Sequence, residues 1–283
     1  MTSQAATQQA ATPQAANGPA TDNTSSAVDA TPTAADSRDI AEYALRLGDD
    51  ALVLAQRMGE WVSHAPELEE DVALTNIGLD LLGQARALLG YAGSLTGRTE
   101  DELAYFRSDL EFRCAHLMCL PRGDFAATIG RMLVVAAYQW ELYERLSESA
   151  DEALAGIARK AVKEVAYHLE HARMWTLRLG DGTDESHRRM QVAIDDLWPL
   201  VDELFRTDEL EQQLASAGIA VDSSALRGPF DALIDPILAD ATLTRPDVPP
   251  AAGGGRHGRP SEHLGHLLAE MQVLARQFPG ASW

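Results

Sequence analysis

Apolar residues recur at helical spacing along nearly all of the chain beyond residue 38. Ile40, Ala44, Leu47, Ala51, Leu54, Met58 and Trp61 step alternately by 4 and 3, which draws one stripe along a helix. Pro66 restarts the chain as a first helical residue. The helix that follows carries two stripes. Leu68, Val72, Thr75, Leu79, Leu82 and Leu89 form one; Leu74, Ile77, Leu81, Gln84, Leu88 and Tyr91 form the other. Two apolar sides predict burial on two sides, through a central position or a second partner surface.

Gly93–Arg98 breaks this helix, and residues 100–113 read as a shorter one. Pro121, Arg122 and Gly123 make a turn, with Asp124 as N-cap of a long helix carried by Phe125, Ile129, Met132, Ala136 and Tyr143. Leu154, Ile157, Ala161, Val165, His168, Ala172, Trp175 and Leu179 carry another, stopped by Gly180–Thr183. Helical patterning resumes through Met190, Leu197, Val201 and Phe205. It returns over 223–243, where Pro236 is expected to kink or split the helix. Residues 245–260 are expected to form a flexible loop. Ser261 is the expected cap of a final helix that turns Leu264, Leu267, Met271, Leu274 and Phe278 inward. No strand pattern emerges. The prediction is an all-α fold, a bundle of four long antiparallel helices with shorter ones after them. A ferritin-like four-helix bundle with additional C-terminal helices is one form of this.

Composition refines the domain plan. Among the 283 residues, the first 37 contain no Lys, Arg, Phe, Tyr or Trp, and Val28 is their only large aliphatic side chain. Such a segment cannot offset its ordering entropy by burial, so residues 1–37 are expected to be a disordered tail and residues 38–283 the helical domain. Forty-three acidic residues face 23 basic ones, for a net charge of −20. That balance repels phosphate backbones and anionic lipid, which argues against nucleic-acid and membrane partners. The longest unbroken apolar stretch, Met132 to Tyr138, is too short for a membrane span. Two cysteines, Cys114 and Cys119, form no disulfide framework and fit buried free thiols in a reducing, cytoplasmic compartment.

Helical bundles of this kind hold di-iron sites with one Glu from each of two helices and Glu-x-x-His from two more. None of the eight histidines has Glu three residues before it. Asp184 precedes His187 at that spacing, but its place after the Gly180–Thr183 turn suits a helix start. The acidic run Glu67, Glu69, Glu70 and Asp71 suits one too. His168 lies within an apolar stripe, with Glu164 before it and His171 after it. It reads as a metal ligand or, with more weight, as a core histidine bonded to a neighbouring helix. Glu60 reads equally as an inward carboxylate or as half of an ion pair.

Several segments resemble the C subunits of ring 1,2-phenylacetyl-CoA epoxidases: 47–57, 59–61, 64–86, 163–169, 178–183 and 262–272, so that the resemblance spans residues 39–283. It implies a structural, non-catalytic subunit of a bacterial cytoplasmic monooxygenase of aerobic phenylacetate degradation. It further implies pairing with a ferritin-like di-iron catalytic A subunit and other epoxidase components, with electrons from NADPH through a reductase. In that catalytic subunit the second helix reads Asp-Glu-x-Gly-His; here the match is Asp80-Leu81-Leu82-Gly83-Gln84. Val165-x-x-His168 stands for Glu-x-x-His. The resemblance therefore implies no catalytic residue, cofactor or metal in this chain, and a degenerate site at Leu81, Gln84, Val165 and His168. The alternatives are an independent di-iron oxidoreductase with Glu60, Asp80, Glu164, His168 and His171 as candidate ligands, or a helical scaffold unrelated to oxygenases.

Overall fold

A computed structural model describes residues 34–281, and every regular element among them is a helix. The α-helices are α1 (Ala34–Gly59), α2 (Leu68–Thr96), α3 (Glu100–Tyr105), α4 (His116–Cys119), α5 (Phe125–Leu146), α6 (Glu152–Gly180), α7 (Asp184–Val201), α8 (Glu209–Ser216), α9 (Arg227–Asp240) and α10 (Glu262–Gln277). Residues 1–33 of the expected tail lie outside the described residues, and its last four, Ala34–Ser37, open α1.

Helix starts follow local chemistry. Asp124 and Asp151 each accept a hydrogen bond at 2.9 Å, from the N–H of Ala127 and of Leu154. Thr99 and Glu102 cap α3 reciprocally. Ser261 stands at the N-cap of α10 without a side-chain capping bond. α1 and α2 form one hairpin, joined by residues 60–67, and α5 and α6 another, joined by 147–151. The crossover from 97 to 124 carries the chain between them. The whole α1 stripe from Ile40 to Trp61 is buried.

Several elements differ from the sequence pattern. α5 takes the central place: packed by α6, α7 and α9, it is buried on nearly every side. As far as Leu82, α2 is buried on one side only, whereas Leu89 further along the outer stripe is buried. Its Leu74, Ile77, Leu81, Gln84 and Leu88 face inward, whereas Leu68, Val72, Leu79 and Leu82 face out, because only α1, α3 and α6 pack beside it. The helix expected over 100–113 ends at Tyr105, since Arg107 turns inward and Ser108 caps a 3₁₀ turn through Glu111. α9 runs on through Pro236 without a split. In α10, Leu264 and Leu267 are buried but Leu274 and Phe278 are exposed. Its second half docks instead through Gln272 Nε2, 3.0 Å from the carbonyls of Ala104 and Arg107, and through Arg276.

The irregular segments are tied to α1 by charge. Asp49 and Asp50 are both buried there. Asp49 pairs with Arg107 through both guanidinium Nη atoms and accepts the Arg113 N–H at 2.7 Å. Asp50 accepts the Ala115 N–H at 2.9 Å and meets Arg256 at 2.5 Å. Burial opposes the Arg256 charge, but Asp50 beside it more than offsets this and holds the guanidinium above its ordinary range.

Residues 245–260, expected to be flexible, are therefore anchored. The Arg256 guanidinium also donates to the carbonyls of Arg46 and Arg113 at 3.0 and 2.9 Å. Glu203 accepts the N–H groups of Gly254 and Gly255 at 2.7 and 2.9 Å, and that of His116 at 2.9 Å. The glycines are there for close approach. Gly254 has φ 123, and a Cβ on Gly255 would lie 2.0 Å from the Cys114 carbonyl oxygen.

Two outcomes test this anchoring. Arg107→Ala leaves Asp49 buried without its cation and should cost about 3–5 kcal/mol in urea unfolding. Three backbone N–H groups outweigh the burial that would raise the Glu203 pKa and hold its carboxyl below the ordinary value of 4.5. A lowered carboxylate stabilises above that value and loses its contribution as pH falls through the folded pKa. Stability measured against pH should therefore decline below 4.5, and Glu203→Gln should remove that part of the decline.

Candidate functional site

Apart from Glu60, the sequence-predicted candidate ligands meet where α2 and α6 pack together. Three polar pairs cross this seam. His171 Nε2 lies 2.8 Å from Glu70 Oε2, His168 Nε2 lies 3.1 Å from Asp80 Oδ2, and Gln84 Nε2 donates to Glu164 Oε2 at 3.1 Å. The order rises along α2 and falls along α6, so the two helices run antiparallel. With α5 and α6 also antiparallel across a short turn, α5 runs parallel to α2, and the long crossover follows from that geometry.

His168 and Gln84 are buried from solvent, and so are Leu81 and Val165, both fully. Buried polar groups need partners, and each pair supplies one. Burial dominates at His168 and lowers its pKa, with Asp80 partly restoring it, so the ring is neutral at pH 7. Its Nε2–H then donates to Asp80. The Nδ1 atoms of both histidines and Oε1 of Gln84 have no hydrogen-bond partner. Tyr167 flanks the pair, its ring 6.3 Å from His168 and 6.1 Å from His171.

The candidate ligands do not converge. Asp80 and His168 come together, and Glu164 is taken by Gln84 and Lys160. Glu60 sits at the end of α1 and pairs with Arg57 at 2.5 Å, the second of its two readings. Among the described residues no group of three or more His, Cys, Asp and Glu is placed to hold a metal ion. The seam does not fit a di-iron centre, because fully buried Leu81 and Val165 stand between the polar pairs and offer no donor.

Other candidates resolve simply. His187 Nδ1 lies 2.7 Å from the Gly180 carbonyl, and Asp184 is the first residue of α7. Cys114 and Cys119 are buried, with their sulfurs 3.3 Å apart. The sequence pattern assigned Glu70 to the helix dipole alone and so missed its pairing. Its signal was its position: Glu70, Leu74, Ile77 and Leu81 follow one another on the inward face.

Fold and seam define a protein whose described residues form helices and whose inner polar residues pair with one another across two of them. Residues 23–283 match the phenylacetic acid catabolic protein family, and the chain belongs to it. It is 49% identical over 245 residues to the C subunit of the 1,2-phenylacetyl-CoA epoxidase of Escherichia coli (strain K12), a match that covers 86% of this chain and 99% of the relative. Among the described residues, no helix is long and apolar enough to cross a membrane.

The His168 pair gives a pH signature. A depressed histidine pKa means that the unfolded chain takes up a proton near 6.5 while the buried ring does not. Stability should fall as pH drops from 6.5 toward the folded pKa. His168→Leu, which leaves partly exposed Asp80 free to hydrate, should flatten that decline in urea titrations as pH is lowered below 6.5.

Proposed function

We propose that this chain is a structural, non-catalytic subunit of a multicomponent 1,2-phenylacetyl-CoA epoxidase in the cytoplasm. It adopts a ferritin-like bundle, pairs with the di-iron catalytic subunit of like fold, and stabilises it. The catalytic subunit would insert one oxygen atom of O₂ into the aromatic ring of phenylacetyl-CoA, with electrons from NADPH through a reductase component. The observation that carries the reading is the seam. At the positions that match the catalytic subunit's glutamates stand Leu81 and Val165, both fully buried, and His168 is already committed to Asp80.

Helix order supports the fold assignment. Two hairpins joined by a long crossover, with α2 antiparallel to α6, match the plan in which a bundle surrounds an internal site. Similarity to an epoxidase C subunit over nearly its entire length supports the pathway. An independent di-iron oxidoreductase would need Glu60, Asp80, Glu164 and His168 around one point, and Glu60 is bound to Arg57 instead.

The purified chain should bind no stoichiometric iron, while the complex formed with the catalytic subunit should carry all of its iron on that subunit. Co-expression, affinity isolation and metal analysis per subunit measure both. Iron on this chain with oxygenase activity in isolation sinks the proposal, as does failure to form a complex at any salt concentration.

A further inference from the structure

Arg131, on α5, is a buried cation with half of its guanidinium unanswered. The residue is 1% exposed. Its Nη1 donates to the carbonyls of Leu120 and Pro121, which fixes the plane of the group. Its Nε and Nη2 are buried too, and neither has a hydrogen-bond partner among the described residues. Burial, and then the repelling charge of Arg57, push its pKa down to about 10, so it still carries its charge at pH 7. Glu60, the carboxylate that acts in its favour, is bound to Arg57. Asp49 and Asp50, by contrast, each meet an arginine directly. Buried charges are ordinarily paired, and an unpaired one calls for a counterion.

The unpaired atoms also specify the shape of that counterion. Nε and Nη2 lie on the same edge of the guanidinium and form a fork that donates two parallel bonds to one carboxylate. Arg131 lines a cavity of about 60 Å³ between α5 and α7, room for a small carboxylate. Its other lining residues are Leu120, Pro121, Ala127, Ala193 and Leu197, all apolar, and Asp196. Ala127, Ala193 and Asp196 also line a wider groove of about 390 Å³. Arg188 and Arg189 of that groove are already held by Glu185 and Asp124, so they add no net attraction. One guanidinium balances one negative charge. Asp196 and the net charge of −20 then disfavour a dianion such as phosphate.

We propose that Arg131 anchors a binding site for a small aliphatic monocarboxylate, whose carboxylate sits on Nε and Nη2 and whose apolar body lies along Ala127, Ala193 and Leu197. The site shares no residue with the α2–α6 seam and does not rest on the epoxidase reading.

Thermal unfolding of the full chain at pH 7 and constant ionic strength tests it with acetate, butyrate and chloride, each up to about 100 mM, the range in which so few contacts saturate. Butyrate should raise the Tm saturably, acetate less, and chloride not at all, because only a ligand of the folded state stabilises it. Arg131→Met removes an unpaired buried charge and should abolish the butyrate effect. Arg131→Lys keeps the charge without the fork and should need roughly tenfold more butyrate. Ala127→Leu fills the cavity, leaves the guanidinium in place and should also abolish the effect. In titrations followed by nuclear magnetic resonance, the Arg131 Nε–H signal, assigned by its loss in Arg131→Lys, should move with the same midpoint. An adventitious salt effect only, with chloride acting as butyrate does, overturns the proposal. So does the lack of a saturable shift, or one that survives Arg131→Met or Ala127→Leu, or an Nε–H signal that butyrate leaves unmoved. Acetate as effective as butyrate overturns it as well, since the apolar walls then take no part. Should Arg131→Met fail to fold, the lysine and leucine substitutions and the Nε–H signal still decide.

Discussion

Two consecutive buried carboxylates on α1 tie down the irregular segments of this protein. Adjacent residues on a helix point about 100° apart, so Asp49 and Asp50 reach different segments. Asp49 holds the crossover through Arg107 and the Arg113 N–H. Asp50 holds the crossover at Ala115 and the C-terminal loop at Arg256. An unpaired charge at either place would cost several kcal/mol, whereas the apolar core tolerates many arrangements of the same residues. The carboxylates therefore select one path for segments that hydrophobicity leaves undecided. Glu203 extends the same device, gathering three backbone N–H groups from α4 and the glycine-rich loop.

That division explains what could be read from the sequence. Stripe periodicity is local, so the long helices, the caps at Asp124 and Asp151, and the buried file from Ile40 to Trp61 were all legible. Asp50 and Arg256 are 206 residues apart, and nothing local links them. The same limit hid the end of α3, where Arg107 leaves the helical path for Asp49. It also hid the loop, whose glycines read as flexibility but serve close packing. Periodicity could not choose between the two stripes of α2, since each is apolar. What distinguishes the buried one is polar: Glu70 and Gln84 flank it, each with a partner on α6.

The same accounting explains the acidity. Asp49, Asp50, Glu203, Glu70 and Glu164 are each matched by an arginine, histidine, amide or backbone N–H. Many of the remaining carboxylates pair at the surface with arginines a helical turn away, as Glu185 does with Arg188 and Arg189. Exposed pairs of that kind contribute little to stability. The surplus negative charge is a property of the surface.

The seam between α2 and α6 gives the sharpest consequence. A bundle that surrounds a di-iron centre must hold several carboxylates at close range, and their repulsion is offset only when the cations are in place. Here the corresponding interior holds neutral His168, an amide at Gln84 and two aliphatic side chains, and the carboxylates beside them, Glu70, Asp80 and Glu164, each already have a partner within the protein. Leu81 and Val165 contribute packing where glutamates would contribute charge. Under the proposed role such a core would be complete without metal, and the subunit could present a preformed surface to a catalytic partner before that partner is loaded.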